Sequence, residues 1–472
     1  MSRRLNRPRR PVRRLLGWAA PGYLFGMAFL AVTVNWLKAV HPAAAVAVIG
    51  FEAGWFATIG VGIRLVGRLR WWPLWAAGCW AMVEYAYSRF PFGGFGWVRL
   101  GFTMVDAPLA GYLPFVGLAG VSFLTALAGQ ILAYLVEPGP ARRRIATGAI
   151  ALAVLLAGFA GFAYQPAADG PSVTVGFVQG NVDGVGIEAL GRERSVTNNH
   201  LSETIALLAK AQTGQVPEPD FILWPENSTD IDPTRDQITA EVVDAAARLA
   251  GRPIFVGAVM RGPGPGQRQT SGLWWQPGGH VEARYDKRNL VPFGEFIPFR
   301  DQLLPLIPLL ARVGAQSVPG TTPGALRVRL ADGRPLVVGD VICFELAYDQ
   351  TVYSAITGGA QVVTVQSNNA TYRGSAQVAQ QFAITRVRAM ETRREIIVAT
   401  TNSLSGFVEP DGSVRMRTSE GTSASGAYPM PLRSAVTPAV RLAAGLDLAL
   451  GLMGLLGALA GTSRVIRQRW RR

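Results

Sequence analysis

The chain has 472 residues, 49% of them hydrophobic and 16% charged, and a formal net charge of +15. A soluble chain carries nearer a quarter charged residues, so the composition argues against a purely cytosolic protein. Seven arginines crowd residues 1–14 and five close the chain (Arg464, Arg467, Arg469, Arg471, Arg472), which leaves the stretch between nearly balanced and argues against a folded basic face that reads nucleic acid.

Beyond the basic tail at 1–14, apolar runs long enough to cross a bilayer occupy about 15–37, 42–63, 71–88, 112–136 and 145–164, and a sixth covers 441–461. Each is near the roughly 20 residues that a spanning helix needs. The first is too long, and has the wrong flanks, for a cleaved signal peptide. With the amino terminus in the cytoplasm, Arg64, Arg68 and Arg70 and then Arg142, Arg143 and Arg144 fall on that same side. Six crossings return the second basic tail, 462–472, to it as well. Every dense arginine cluster then lies on one face, as the positive-inside rule requires. The expectation is a multi-pass protein of the cytoplasmic (inner) membrane with both termini inside. Its membrane domain has about five helices over 15–164, an extracytoplasmic domain occupies 165–440, and a last helix spans 441–461.

Glu52, Glu84 and Asp447 fall inside the spans. Charges in lipid are costly and face a bundle interior or a cavity. Glu84 reads either as a carboxylate bonded to a neighbouring helix or as part of a substrate path. No series of such groups spells out a proton relay, so a transporter is not supported.

Residues 165–440 differ in composition. Strand-like runs are Val173–Val178, Phe221–Trp224, Ile254–Val259, Leu336–Ile342, Val362–Val365 and Ile396–Ala399, alternating with helical patterns at 193–212, 235–250 and 376–394. Strands alternating with helices predict an α/β domain on a buried sheet. The Gly- and Pro-rich stretch 261–270 reads as a flexible turn. Residues 302–313 read as an apolar arm at the membrane surface, or as a core-facing helix broken by Pro305 and Pro308.

Two cysteines (Cys79, Cys343) and three isolated histidines (His41, His200, His280) are too few for a disulfide framework or a zinc site. The HExxH, GxGxxG and GxxxxGK[ST] motifs are absent, so no metal or cofactor is expected. Cys343 directly follows a buried strand, where α/β folds present reactive groups; the alternative is a small buried hydrophobe. Lys287 is one of three lysines among 46 basic residues, so its position favours a compact ammonium that arginine does not replace. Glu226, in Leu-Trp-Pro-Glu-Asn, projects from a strand end that Pro225 terminates. A thiol needs a base and a nearby cation to become a useful thiolate. Glu226 can take the proton, and Lys287 can stabilise the thiolate and a tetrahedral oxyanion. His280 reads as an exposed turn residue, which makes a Cys–His pair the weaker proposal.

Trp224-Pro225-Glu226, the stretch from Tyr285-Asp286-Lys287 to Phe293-Gly294-Glu295-Phe296-Ile297-Pro298, and Ile342-Cys343-Phe344-Glu345 resemble the three catalytic blocks of the nitrilase superfamily. Together with the flanking spans, Val178-Gln179-Gly180-Asn181, Ser367-Asn368 and Phe92-Gly93-Gly94-Phe95-Gly96-Trp97, they resemble the bacterial apolipoprotein N-acyltransferases over about residues 20 to 460. The resemblance implies a multi-span α-helical membrane domain plus an α/β nitrilase-like αββα sandwich. It implies Cys343 as nucleophile, Glu226 as general base and Lys287 as stabilising cation. Glu295, Glu345 and Phe344 would support them, and Phe293 and Asn368 would contact substrate. The implied donor is a phospholipid, usually phosphatidylethanolamine, and the implied acceptor is a diacylglyceryl apolipoprotein in the same membrane. The departures are a tryptophan-free stretch at 182–195, Phe344 where a tyrosine is usual, and Ser-Asn-Asn-Ala-Thr-Tyr-Arg-Gly at 367–374. The rival reading is a membrane-tethered nitrilase-type amidase that hydrolyses a small amide outside the cell. A scaffold that has lost activity is the non-enzymatic alternative, and the complete set of three residues argues against it.

Overall fold

A computed structural model describes residues 10–182 and 193–470, with side chains between 16 and 467. The outer parts of both basic tails and most of the tryptophan-free stretch lie outside the described residues. The chain divides into two compact units, residues 1–161 with 442–472 and residues 162–441.

The first unit is helical: α1 (Arg10–Thr33), α2 (Pro42–Val66), α3 (Trp72–Tyr87), α4 (Leu113–Val136), α5 (Ala141–Gly161) and most of the helix that closes the chain. Among the described residues five helices are long and apolar enough to cross a membrane, within Leu16–Thr33, Pro42–Val66, Pro108–Val136, Ala141–Gly161 and Pro438–Arg467. The expected third span is a helix at the expected place but has only 16 residues. At about 1.5 Å per residue it falls short of a hydrocarbon core of roughly 30 Å. Pro91, with Gly93 and Gly94 at positive φ, follows it and prevents a longer helix. Phe25, Phe29, Phe56 and Trp80 form an aromatic cluster that joins α1, α2 and α3.

Glu84 bonds its own helix and the neighbouring 3-10 helix Leu100–Met104. Its Oε1 accepts from Trp80 Nε1 one turn earlier (2.9 Å) and from Leu100 N (2.8 Å), while Oε2 lies 3.5 Å from Arg99 Nε. Asp447 pairs with Arg89 (2.6 Å) and lies 3.9 Å from Arg99. Paired in this way, both carboxylates read as ties within the bundle.

The second unit is two stacked sheets. In chain order it contains β1 (Val173–Gln179), α6 (Ser195–Gln212), β2 (Phe221–Leu223), α7 (Gln237–Ala250), β3 (Ile254–Arg261), β4 (Gln267–Gln276) and β5 (His280–Asp286). Then follow the single turn α8 (Arg300–Leu303), β6 (Gln316–Ser317), β7 (Ala325–Arg329), β8 (Pro335–Ile342), α9 (Asp349–Thr357), β9 (Val362–Ser367) and α10 (Ala376–Thr392). Last come β10 (Ile396–Thr400), β11 (Gly406–Val408), β12 (Val414–Arg417), β13 (Ala424–Met430) and the closing helix α11 (Pro438–Trp470). One sheet runs β13-β1-β2-β3-β4-β5 with β6 beside β4; the other runs β12-β11-β10-β9-β8-β7.

Val173, Val175 and Phe177 of β1, Val338 and Ile342 of β8, Ile397 of β10 and Trp274 of β4 form the core between the sheets. Helices α6 and α7 cover the first sheet, and α9 and α10 cover the second. This is the αββα sandwich that the resemblance implied. Every strand and helix expected in the domain is present within two residues of its expected limits. The turn expected at 261–270 is narrower. Gly262 N donates to Gln267 O, and β4 already pairs Arg268 with Arg261, so it is a tight hairpin loop. Residues 302–313 form no core-facing helix. They hold one end of a short turn and a 3-10 segment without a buried residue, and Leu306 is 76% exposed.

Candidate active site

Three strand ends of the sandwich deliver the ionisable groups. Strand β2 stops at Leu223, and Trp224-Pro225 turns Glu226 inward, where it is 4% exposed. The turn fits only because β3 has a glycine beneath it: a Cβ on Gly257 would lie 2.1 Å from Pro225 O and 2.7 Å from Glu226 Cα. Gly257→Ala is therefore expected to displace Glu226, lowering kcat at least tenfold and costing about 1–3 kcal/mol of stability. Acylation rates and denaturant melts of the variant check both.

Lys287 directly follows β5. Its backbone N–H donates to Thr270 O and its carbonyl accepts from Gly320 N, so both sides of the residue are fixed. Its Nζ lies 2.8 Å from Glu226 Oε1 and 2.7 Å from Glu295 Oε1, with the side chain 1% exposed. Burial alone would lower its pKa. Glu226 and Glu295 outweigh that and hold the ammonium well above its ordinary range. Glu295 sits in a tight turn. Its N–H donates to Val291 O, its Oε2 accepts from Val291 N at 2.7 Å, and Phe293 takes φ 61° at the tip with its ring part-exposed.

Cys343 stands just past β8 at φ 53°, an uncommon conformation for a residue with a side chain, and opens a single 3-10 turn to Ala347. Glu345 in that turn is fully buried. Its carboxylate accepts from Ile342 N (2.8 Å), Arg288 N (2.6 Å), Asn289 N (3.1 Å) and Tyr285 OH (2.9 Å). It thereby ties the segment after Lys287 to the bend that carries Cys343. Phe344 is buried and packs edge-on against Tyr348 at 5.3 Å. The Asn368 backbone N–H donates to Glu226 Oε2 at 2.8 Å, and its Oδ1 accepts from Ala370 N and Thr401 Oγ1. His280 is exposed at the start of β5, apart from this cluster.

Asn369 and Gln381, which no sequence motif marks, form the other wall of the site. The Cys343 Sγ lies 3.8 Å from Asn369 Oδ1 and 3.9 Å from Gln381 Oε1. Gln381 also receives Gln377 Nε2 and donates to Ser367 Oγ. Gln377 and Gln381, one turn apart on α10, are both buried and bond one another, a burial that nothing in the sequence signals. Among the described residues no group of three or more His, Cys, Asp or Glu side chains is arranged to hold a metal ion.

Burial pushes the Cys343 thiol up from its ordinary value near 9 to about 12; Glu226 adds to this and Lys287 opposes it. Cys343 therefore rests as a neutral thiol. Alkylation by iodoacetamide follows the thiolate. Cys343 should accordingly react far more slowly than free cysteine near pH 8, and its rate should still climb above about pH 9, where that of free cysteine levels off. Peptide mapping across this pH range checks both.

Two family models match the chain: the apolipoprotein N-acyltransferase N-terminal domain over residues 12–131 and the carbon-nitrogen hydrolase domain over 201–426. An apolipoprotein N-acyltransferase of Mycolicibacterium smegmatis is 33% identical over 84% of this chain and 69% of its own length. The chain belongs to the apolipoprotein N-acyltransferase family. The apolipoprotein N-acyltransferase of Methylococcus capsulatus is 30% identical over 83% of this chain and 77% of its own. A solved amidase from Nesterenkonia sp. aligns with 57% of this chain and 93% of its own at TM-score 0.41 and 17% identity, too distant a likeness to weigh for or against hydrolysis. Family membership makes this protein a membrane-bound acyltransferase with a nitrilase-type domain.

Proposed function

We propose that this acyltransferase moves an acyl chain from a phospholipid, with phosphatidylethanolamine as the preferred donor, through a thioester on Cys343 to the α-amine of the diacylglyceryl-cysteine that begins an apolipoprotein. Glu226 removes the Cys343 proton as Sγ attacks the ester carbonyl. Lys287 stabilises the oxyanion that forms. Collapse breaks the ester C–O bond, and Glu226 returns the proton to the lysophospholipid oxygen. The acceptor amine then attacks the thioester, Glu226 takes its proton, the C–S bond breaks as the amide forms, and Glu226 passes the proton to the departing Cys343 sulfur. Ester to thioester to amide needs no ATP, provided water is kept from the thioester.

The observation that carries this reading is the buried Glu226–Lys287–Glu295 cluster beside Cys343, in a chain whose residues 12–131 match the N-acyltransferase N-terminal domain. A hydrolase needs no such helical domain. The domain is read as extracytoplasmic with both termini in the cytoplasm, supported by the placement of the arginine clusters. That topology requires α3 to cross. Trp71 and Trp72 at one end and Phe90 and Phe92 at the other are suited to anchor a short span in a locally thinned bilayer. The exposed Phe299, Leu306, Ile307 and Leu309 are read as an apolar arm that rests in the membrane interface.

The test is acyl-enzyme trapping. Purified protein is mixed with acyl-labelled phosphatidylethanolamine and no acceptor, and the label is mapped by peptide mass spectrometry. The expected result is hydroxylamine-labile label on Cys343, chased off by a diacylglyceryl-cysteine peptide. Label only from other phospholipids would correct the headgroup. No label from any phospholipid, with cleavage of small amides, would establish the tethered amidase instead.

A further inference from the structure

Two buried oxygens between the sheets have no hydrogen-bond donor: Asp340 Oδ2 on β8 and Gln366 Oε1 on β9. Both residues are fully buried. The parallel register sets Asp340 beside Thr364 and Ile342 beside Gln366, so Asp340 and Gln366 share one face of their sheet. Their oxygens converge on a single point above β4. A Cβ on Gly272 would lie 2.7 Å from Asp340 Oδ2 and 2.9 Å from Gln366 Oε1. Glycine leaves room for both oxygens at this point of β4.

Donor accounting then fixes the charge. Gln366 Nε2 donates to Trp224 O at 2.7 Å and to Phe255 O at 3.2 Å. Both are carbonyls, so turning the amide round would set its oxygen against two others and discard both bonds. Gln366 Oε1 is thus held toward Asp340. An ionised Asp340 keeps the Thr364 Oγ1 donor on its Oδ1 at 3.0 Å but sets a charged Oδ2 against the Gln366 oxygen with no donor in a dry site. A protonated one has the single donor that the site lacks. Burial acts in the same direction: it raises the Asp340 pKa well above the carboxylate range, with Thr364 opposing and Glu345 and Glu226 reinforcing.

We infer that Asp340 is a neutral carboxylic acid that donates its proton to Gln366 Oε1, and that this bond makes Asp340 a positioning residue for Glu226. The connection to the reacting groups is short. The Gln366 side chain clasps Trp224 O, two residues before Glu226. Its own backbone leads through Ser367 to Asn368, whose N–H holds Glu226 Oε2. Asp340 itself lies on β8, three residues before Cys343, which directly follows that strand. One locked amide therefore sets the base from two sides and couples it to the strand of the nucleophile. The inference rests on the reading of Glu226 as the base.

Infrared spectra of protein carrying side-chain 13C-aspartate, in nanodiscs at neutral pH, read the proton directly. The expected result is a neutral carboxylic acid band that Asp340→Asn removes. The amide introduced by Asp340→Asn retains a donor to Gln366, so the phospholipid-to-Cys343 acylation rate of this variant should stay within about twofold of wild type. Asp340→Leu and Gln366→Leu should lose about tenfold or more in rate with KM little changed, the scale expected when a catalytic group shifts by a fraction of an ångström. No band assignable to Asp340 would overturn the inference, whether or not the leucine variants fold. So would the band together with wild-type acylation by folded Asp340→Leu. Retained acylation by Glu226→Gln would instead remove the base assignment and leave the infrared result standing.

Discussion

Replacing Lys287 by arginine is expected to lower phospholipid-dependent acylation of Cys343 by about a thousandfold, although the charge is kept. The ammonium is 1% exposed and bridges Glu226 and Glu295 at 2.8 and 2.7 Å. A planar guanidinium is larger, and its donors sit in a fixed fork. It cannot approach two carboxylates from the position of Nζ without pushing one away. Lys287→Met should do more, because it leaves two buried carboxylates facing one another. Removing one partner of a buried ion pair costs about 3–5 kcal/mol, so the thermal midpoint should fall together with activity. Label incorporation and melting curves on the same nanodisc preparations separate the two effects. An arginine variant that acylates at more than about a tenth of the wild-type rate would show that a positive charge alone suffices at this position.

The same lysine shows why part of the site is legible in the sequence. Lysine is rare in an arginine-rich chain, so its retention after a strand carries information that a lysine in an ordinary composition would not. Glu226 and Cys343 are legible through their strands, since Phe221–Leu223 is an unbroken apolar run and Leu336–Ile342 is apolar apart from Gly339 and Asp340, and both announce buried β structure. Strands of mixed composition give no such signal. Strand β4 opens Gln-Arg-Gln-Thr, and β5, β7 and β12 carry charged residues at alternate positions; they form through antiparallel pairing with the strands next to them in the chain. Asn369 and Gln381 fail to stand out for a different reason. A glutamine on an amphipathic helix looks solvated until the fold buries α10 along that side. The bond from Asn368 to Glu226 gives no signal because it uses a backbone N–H, which every residue but proline possesses. The short α3 has the composition of a span and gives no sign of its length until Pro91 and its glycines are seen to stop it.

The Glu226–Lys287–Glu295 arrangement raises a question of role that only substitution answers, since both carboxylates touch the same ammonium. Glu226→Gln is expected to abolish formation of the acyl-enzyme, by about a thousandfold or more, whereas Glu295→Gln should cost about ten- to a hundredfold. The difference follows from what each second oxygen does. Glu295 Oε2 is held by Val291 N within its own turn, which fixes it as a brace for Lys287. Glu226 Oε2 is held by Asn368 N, next to Asn369, whose side chain faces Cys343 Sγ, so this carboxylate reaches into the same wall as the nucleophile. The neutral resting thiol, at about 12, makes a base obligatory. Lys287, protonated far above neutral pH, cannot serve as one. Either glutamine also turns one acceptor into a donor that faces Nζ or a backbone N–H, so a loss shared by both variants measures that mismatch, and only the excess in Glu226→Gln measures lost proton transfer. Single-turnover acylation of both variants on labelled phospholipid supplies the comparison. Equal losses would make the two carboxylates joint braces and leave the base to be sought elsewhere, and a larger loss in Glu295→Gln would exchange their roles.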